Sequence, residues 1–284
     1  MRTDRLNRIA ASLRRSALAA LSPLLAGCSE GVLNPHGSVG EAEKTILLNS
    51  LGIMLAIVIP VILATLAVAW WFRASNRRAR YLPNWEYSGR IEMIVWSIPA
   101  MVILLLGGIA WVGSHDLDPP KPLASSADPI AVEVVSLDWK WLFIYPEQGI
   151  ASVNRLVVPA GVPISFRLTS DTVMNSFFIP ELGSQIYTMH GMVSRLNLRA
   201  DAAGTYPGLS AQFSGDGFSG MRFTVEAVSR DQFAQWVAGA KNGPALDAPG
   251  YVKLAQASKN VTPFTYGSVT EGLFDGVVGS HEEK

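Results

Sequence analysis

The chain has 284 residues, of which 49% are hydrophobic and only 16% are charged. Soluble domains usually contain about a quarter charged residues, so this composition is too apolar for an average soluble domain and excludes a disordered chain. The 23 basic and 23 acidic residues cancel, which leaves no basic field to hold a nucleic acid. A single cysteine excludes an intrachain disulfide and a Cys-rich metal site.

The first 27 residues have the pattern of an export signal. Five arginines precede a short apolar run from Ala17 to Ala26, which has the length of a signal-peptide core and is too short to cross a bilayer. The run ends in Leu25–Cys28, which resembles the lipobox of bacterial lipoproteins. We therefore predict that residues 1–27 are removed, that Cys28 carries a lipid, and that residues 28–44 are a periplasmic tether. The alternative is an apolar run that ends in cysteine by chance.

Two apolar segments predict a helical hairpin across the membrane. Residues 45–72 contain no charged side chain and end in an aromatic belt, and as a helix they would exceed the hydrocarbon core of roughly 30 Å. The second span, residues 91–113, has one ionisable group, Glu92, near its start. The loop between them, residues 73–90, holds five arginines against one acid. The positive-inside rule therefore places this loop in the cytoplasm and both flanking regions outside.

Residues 114–228 predict an all-β domain. Short runs of β-branched and aromatic residues alternate with turn sequences, and Ile164–Leu168 alternates apolar and polar side chains as a half-buried strand does. Strands at this spacing predict a small antiparallel sandwich or barrel. After Val228 the pattern becomes helical, and Ser229–Gln232 matches a capping box. We predict that residues 229–284 form a short helical tail that packs on the sandwich or on a neighbour.

The order of a lipobox, two spans and a β domain resembles subunit II of the haem–copper terminal oxidases. Asp138–Gly149 is similar to the first strands of that subunit's cupredoxin domain, and Met174–Pro180 and Leu182–Tyr187 are similar to its middle. These strings resemble the cytochrome bo-type ubiquinol oxidase branch in particular. The resemblance extends to about Trp236. It implies a two-helix transmembrane hairpin, then an all-β cupredoxin-like Greek-key sandwich, then the short helical C-terminal tail.

The resemblance also indicates what the β domain lacks. In the cytochrome c-oxidising branch this domain holds a binuclear copper centre, whose ligands are two His, two Cys, one Met and a Glu carbonyl. The corresponding positions in this sequence are Asn175 and Phe218 for the histidines, Ser210 and Ser214 for the cysteines, Gln212 for the glutamate and Met221 for the methionine. Hydroxyl groups cannot bridge copper as thiolates do, and a phenyl ring offers no lone pair. We therefore predict no metal in this domain and no electron transfer from cytochrome c.

By this resemblance the chain is not catalytic alone but is a non-redox subunit of a proton-pumping ubiquinol oxidase in the bacterial inner membrane. Its partners would be membrane lipid, subunit I and the other subunits, with the haems and copper in subunit I and ubiquinol as the substrate. Glu92 is the candidate for proton entry, against the alternative of an interfacial carboxylate paired with Arg90 or a partner subunit. Two other functions stay open: a cytochrome c oxidase subunit that lost its copper, and a membrane-anchored cupredoxin-like assembly or binding factor.

Two further groups in the β domain have alternative interpretations. Trp139 and Trp141 lie where the copper-bearing relatives accept electrons, but here we expect them to be strand aromatics that fill a core or cap its rim. Met189, His190 and Met192 form a soft cluster that could bind copper. A surface loop without metal is the interpretation that the sequence favours.

Overall fold

The computed structural model describes residues 31–80 and 82–279. The predicted export signal and Cys28 lie outside these residues. The described chain divides into two compact units. One is helical and covers residues 42–118, and the other contains residues 31–41 and 119–279.

The helical unit is built on two long helices, α1 (Ser38–Trp71) and α2 (Gly89–Asp116). By length and composition both are able to cross a membrane. Helix α1 begins at Ser38 rather than at residue 45, so the predicted tether is partly helical. The charged residues before position 45 end the apolar stretch but not the helix. The first N–H groups of a helix have no acceptor within the helix. Here the Gly40 N–H donates to the Leu182 carbonyl over 3.1 Å.

The other unit is a β-sandwich, and its strands are listed here. They are β1 (Ile130–Leu137), β2 (Lys140–Tyr145), β3 (Ile150–Val153), β4 (Arg155–Pro159), β5 (Pro163–Ser170), β6 (Asn175–Phe178), β7 (Ile186–Thr188), β8 (Ser194–Arg199), β9 (Gly204–Ser210), β10 (Arg222–Val228), β11 (Ala245–Leu246), β12 (Phe264–Tyr266) and β13 (Ser268–Val269). Three short helices follow β10 or lie among the last strands: α3 (Arg230–Ala240), α4 (Ala248–Ala255) and α5 (Leu273–Gly279).

The strands form two main sheets. The first has the order β12-β3-β2-β1-β5-β8, the second has the order β4-β10-β9-β6-β7, and β11 pairs with β13 in a small ribbon. The expectation of an antiparallel sandwich is wrong for two pairs, since β1 runs parallel to β5 and β4 runs parallel to β10. The reason is the connection: the chain crosses to the other sheet as β4 before it returns beside β1 as β5.

An aromatic core fills the space between the sheets. The Phe177 ring stacks on Phe223 with centroids 5.0 Å apart, and Trp141 meets Phe177 edge-on at 5.4 Å. Edge-to-face and offset contacts of this kind add stability beyond the burial of area. Trp141 is fully buried here, as the sequence predicts for a core aromatic.

A second apolar core lies on the outer face of the first sheet. The alternate residues Leu142 and Ile144 of β2 point into it, while Trp141 and Phe143 point into the aromatic core. The C-terminal segment covers this face with Leu246, Leu254, Phe274 and Val277. Because both faces of β2 are covered, its sequence is apolar at nearly every position.

The C-terminal segment differs from the predicted helical tail. It contains α3, α4 and α5, but also three strands, and β12 pairs with β3 at the edge of the first sheet. Pairing satisfies the backbone groups that an edge strand would leave open, which gives a three-residue strand a reason to form there. The predicted capping box of α3 is confirmed: the Gln232 N–H donates to Ser229 Oγ, and the Ser229 N–H donates to Gln232 Oε1.

Candidate functional site

Four of the positions that the sequence resemblance assigns to copper ligands are connected at one end of the sandwich. Asn175 begins β6, Ser210 ends β9, and these strands pair with each other, with Phe177 opposite Ser210. Ser210 Oγ lies 3.1 Å from Asn175 Oδ1, and the Ser210 N–H donates to the Met221 carbonyl over 3.0 Å. Ser214 Oγ lies 4.0 Å from the Met221 sulfur. The β6–β9–β10 pairing thus places these residues together.

Gln212 and Phe218 are less closely involved. Gln212 takes part through its backbone, since its carbonyl oxygen lies 3.3 Å from Ser210 Oγ. Phe218 begins a short 3-10 turn that ends at Gly220, and its ring meets the exposed Phe213 ring edge-on at 5.6 Å. Both residues therefore belong to the loop before β10.

A buried hydrogen-bond network surrounds Asn175. Its Nδ2 donates to the Val173 carbonyl over 3.2 Å and lies 3.5 Å from Ser136 Oγ. Ser136 Oγ is 2.8 Å from Thr188 Oγ1, and Thr188 Oγ1 donates to the Asn175 carbonyl over 3.3 Å. Asn175 is only 1% exposed, and Ser136 and Thr188 are fully buried. Since buried polar groups need partners, these side chains stabilise one another in place of ligand bonds.

This donor set does not fit a binuclear copper centre. Amide and hydroxyl groups are hard, neutral donors, whereas such a centre needs bridging thiolates. The only soft atom in the set is the Met221 thioether. Across the residues that the structure describes, no three His, Cys, Asp or Glu side chains are grouped as metal ligands would be.

Trp139 packs against the glycine-rich loop of residues 214–220, which precedes β10. Trp139 has a positive φ of 64°, and its indole N–H donates to the Ser214 carbonyl over 2.9 Å. A Cβ atom at Gly217 would lie 2.4 Å from the indole ring, so only glycine lets the loop approach so closely. Lys259 belongs to the C-terminal segment, and its ammonium group lies 5.3 Å from the centroid of the Trp139 ring. Trp139 therefore joins the loop to that segment.

Lys140, beside Trp139, anchors the C-terminal segment to β2. Its side chain is almost completely buried, and Nζ donates to the Gln256 carbonyl and to Ser258 Oγ, both over 2.8 Å. Burial lowers the pKa of the Lys140 ammonium from its ordinary value, while the nearby charges of Asp138 and Asp171 oppose this effect. No sequence motif announces this contact, because the partners lie more than a hundred residues apart.

Glu92 lies in the first turn of α2, where its side chain is exposed. Its backbone N–H donates to the Ser88 carbonyl over 3.0 Å. The amino end of a helix favours a negative charge, so this position suits a carboxylate whether or not it moves protons.

Comparison with known proteins places the chain in a family. Residues 131–228 match the family described as cytochrome c oxidase subunit II, periplasmic domain, and residues 241–283 match the COX aromatic rich motif. The periplasmic domain of subunit II of cytochrome oxidase of Bradyrhizobium japonicum superposes with a TM-score of 0.39 at 24% identity, covering 42% of this chain and 98% of that domain.

Two curated relatives match most of the sequence. The cytochrome bo(3) ubiquinol oxidase subunit 2 of Pseudomonas aeruginosa is 50% identical over 260 residues, which cover 91% of this chain and 78% of the relative. The ubiquinol oxidase subunit 2 of Acetobacter aceti is 49% identical over 278 residues, which cover 97% of this chain and 90% of the relative. The predicted fold class is confirmed, with two apolar helices, a cupredoxin-like β-sandwich and a short C-terminal helix. The chain belongs to the ubiquinol oxidase subunit 2 family of the haem–copper terminal oxidases.

Proposed function

We propose that this chain is the non-redox second subunit of a complex that oxidises ubiquinol, reduces oxygen to water and pumps protons. The observation that carries the proposal is the hydrogen-bonded set of Asn175, Ser210 and Met221, at positions that the resemblance assigns to copper ligands in the cytochrome c-oxidising branch. Without bridging thiolates this domain holds no redox group, and a soluble cytochrome has nothing to reduce. The haems and the copper of the complex would lie in subunit I, and ubiquinol would donate its electrons there from within the bilayer.

The role left to this chain is to bind and cover its partners. Apolar side chains cover α2 on all sides, and Trp96 and Leu104 are 75% and 77% exposed. A helix that is apolar all round needs lipid or other helices as its surroundings. Both are available to a subunit that lies beside subunit I in the membrane.

The membrane placement belongs to the same proposal. The arginine-rich loop after α1 would face the cytoplasm, and the sandwich would face the periplasm. The Arg73 guanidinium lies 4.5 Å from the Trp70 ring centroid and donates to the Trp70 carbonyl over 2.7 Å, an arrangement suited to a membrane interface. Removal of residues 1–27 and lipidation of Cys28 would add an anchor at the outer surface. The intact mass of the purified subunit tests this anchor, and Cys28→Ser should remove the lipid mass.

The main proposal is tested on the purified complex, washed with a copper chelator. We expect oxygen uptake with ubiquinol but not with reduced cytochrome c, and one copper per complex instead of three. This chain should co-purify in equal amount with a haem-bearing subunit. Rapid oxidation of cytochrome c, or two additional coppers that resist the chelator, would contradict the proposal. Isolation without haem subunits would point to an assembly or binding factor.

Glu92 is proposed as an entry point for protons taken up by subunit I. Its exposed position at the cytoplasmic end of α2 supports this role. We expect Glu92→Gln to slow ubiquinol-driven oxygen uptake several-fold without changing the haem content of the complex. Glu86→Gln, in the preceding loop, is the matched control and should leave turnover unchanged. Normal proton-coupled turnover in Glu92→Gln would show that Glu92 is an interfacial carboxylate without a role in proton entry.

A further inference from the structure

The loop between α1 and α2 borders a cavity at one end of the helical hairpin. The cavity has a volume of about 710 Å³ and lies entirely within the helical unit, where the end of α1, the loop and the start of α2 supply its walls. Each of its larger apolar side chains is between 51% and 59% exposed, so the chain itself leaves this wall uncovered. These side chains are Val68, Phe72, Leu82, Trp85 and Ile91.

Hydrogen bonds fix the course of the loop beside the cavity. Asn76 Nδ2 donates to the Trp71 carbonyl over 2.6 Å, at the end of α1 where a helix leaves its last carbonyls without partners. The Asn76 N–H donates to the Arg73 carbonyl over 2.9 Å, and Asn76 Oδ1 accepts from the Arg78 N–H over 3.1 Å. Asn76 is half-buried and lines the cavity. These bonds give this wall of the cavity a defined shape.

Two arginines, Arg73 and Arg80, line the same cavity. Arg73 Nη1 donates to the Trp70 carbonyl over 2.7 Å, and Arg73 Nε donates to Ser75 Oγ over 3.0 Å. These bonds hold the guanidinium in place and leave other N–H groups of it for an anion. Among the described residues, no acidic side chain lines the cavity and no carboxylate forms an ion pair with Arg73 or Arg80. The cavity thus combines an apolar wall with two positive charges.

We propose that this cavity binds an anionic phospholipid. The phosphate would accept hydrogen bonds from Arg73 and Arg80, and an acyl chain would cover the apolar wall at Phe72, Leu82 and Ile91. A free phosphate ion would leave that wall uncovered. Basic pockets between membrane helices on the cytoplasmic side are typical sites for anionic head groups, and tryptophans such as Trp85 are enriched at the level of those groups. The inference rests on the membrane placement proposed above, which puts this end of the hairpin at the inner leaflet.

The test uses the purified complex, which is stripped of lipid in detergent and then titrated with dioleoyl phosphatidylglycerol. Native mass spectrometry counts the phospholipids that each complex retains. We expect Arg73→Gln/Arg80→Gln to retain one lipid fewer than the wild type, or to bind it at least about tenfold more weakly, because each cation near an anionic head group adds to the attraction. Arg77→Gln/Arg78→Gln removes the same charge from exposed residues of the same loop that do not line the cavity, and it should retain the lipid.

Three further arms separate the head group from the acyl chains. Dioleoyl phosphatidylcholine has the same chains but no net charge, and it should not replace the anionic lipid. Glycerol 3-phosphate has the phosphate but no chains, and it should not displace the lipid either. Leu82→Ser keeps both arginines and should still weaken binding, because it places a hydroxyl group in the apolar wall.

Equal retention of phosphatidylglycerol by the wild type and Arg73→Gln/Arg80→Gln would overturn the site. An equal loss in Arg77→Gln/Arg78→Gln would also overturn it, because binding would then follow the general charge of the loop. Loss of the haem-bearing subunit from Arg73→Gln/Arg80→Gln would assign the two arginines to a partner subunit instead. Oxygen uptake with ubiquinol, measured on the same samples, separates this inference from the proposed function. A complex that oxidises ubiquinol but retains no lipid dependent on Arg73 and Arg80 rejects the lipid site alone.

Discussion

The two units of this protein use similarly apolar sequences in opposite ways. All six residues of β2 are buried, because one core covers each face of the strand. In α2, by contrast, every described residue is at least partly exposed, although most of its side chains are apolar. The sandwich therefore covers most of its apolar surface within the chain, whereas the helices leave theirs exposed and need apolar surroundings from outside the chain. Substitutions of similar size should have different consequences in the two units.

The largest difference is expected between Phe177→Ala and Leu104→Ala. Phe177 touches four other aromatic rings in the core, so its removal should lower the free energy of unfolding by about 3–5 kcal/mol. Leu104 is 77% exposed on α2, and its truncation leaves no cavity in this chain. The full chain is unfolded in detergent and monitored by tryptophan fluorescence. Only Phe177→Ala should shift the unfolding midpoint. Equal shifts for the two variants would mean that Leu104 is packed in a core as Phe177 is.

A smaller effect is expected in the buried hydrogen-bond network around Asn175. Asn175→Ala removes a buried partner from Ser210 and Ser136 and should destabilise the sandwich by about 1–3 kcal/mol. Ser214→Ala is the control, because Ser214 is half-buried and its hydroxyl makes a weak contact to the Met221 sulfur at 4.0 Å. It should change stability by less than about 0.5 kcal/mol. Urea unfolding measures both. A negligible effect of Asn175→Ala would show that the network contributes little to stability.

Some of this site could be predicted from the sequence, and the rest could not. The family motif identifies Asn175, Ser210 and Met221 as neighbours before any coordinates exist. It does not reveal Ser136 and Thr188, because they come from β1 and β7 and reach Asn175 only through the strand order. The same limit applies to the close packing of Gly217 against Trp139, which depends on a contact across the sandwich end.

The fold shows the same division. Local signals such as the capping box at Ser229 act within one helical turn, so the sequence predicts them correctly. Strand β12 has no such local signal, because three residues carry little β-pattern and the pairing with β3 decides their conformation. The apolar pattern predicts the extent of a membrane span, and the helix itself begins earlier, at Ser38.

The smallest predicted effect is a pH dependence within the sandwich unit. Glu133 lies 2.6 Å from Arg167, yet burial raises the pKa of its carboxyl above the ordinary value near 4.5, and the Arg167 charge only partly opposes this. An acid whose pKa is raised by folding contributes stability below its unfolded pKa, and this contribution is lost as the pH rises through the folded pKa. Glu133→Gln keeps the neutral form throughout, while Arg167 retains Asp275 at 2.7 Å.

Glu133→Gln should therefore gain stability relative to the wild type as the pH is raised from about 4 to 7. Urea unfolding at several pH values measures the difference between the two proteins. Ser165→Ala, a change nearby in β5 that does not titrate, provides the baseline and should follow the wild type at every pH. If the wild type instead gains stability relative to Glu133→Gln over this range, the Arg167 charge affects the pKa of Glu133 more strongly than burial does. The ion pair between Glu133 and Arg167 would then stabilise the sheet, and burial would not be the main influence on the pKa of Glu133.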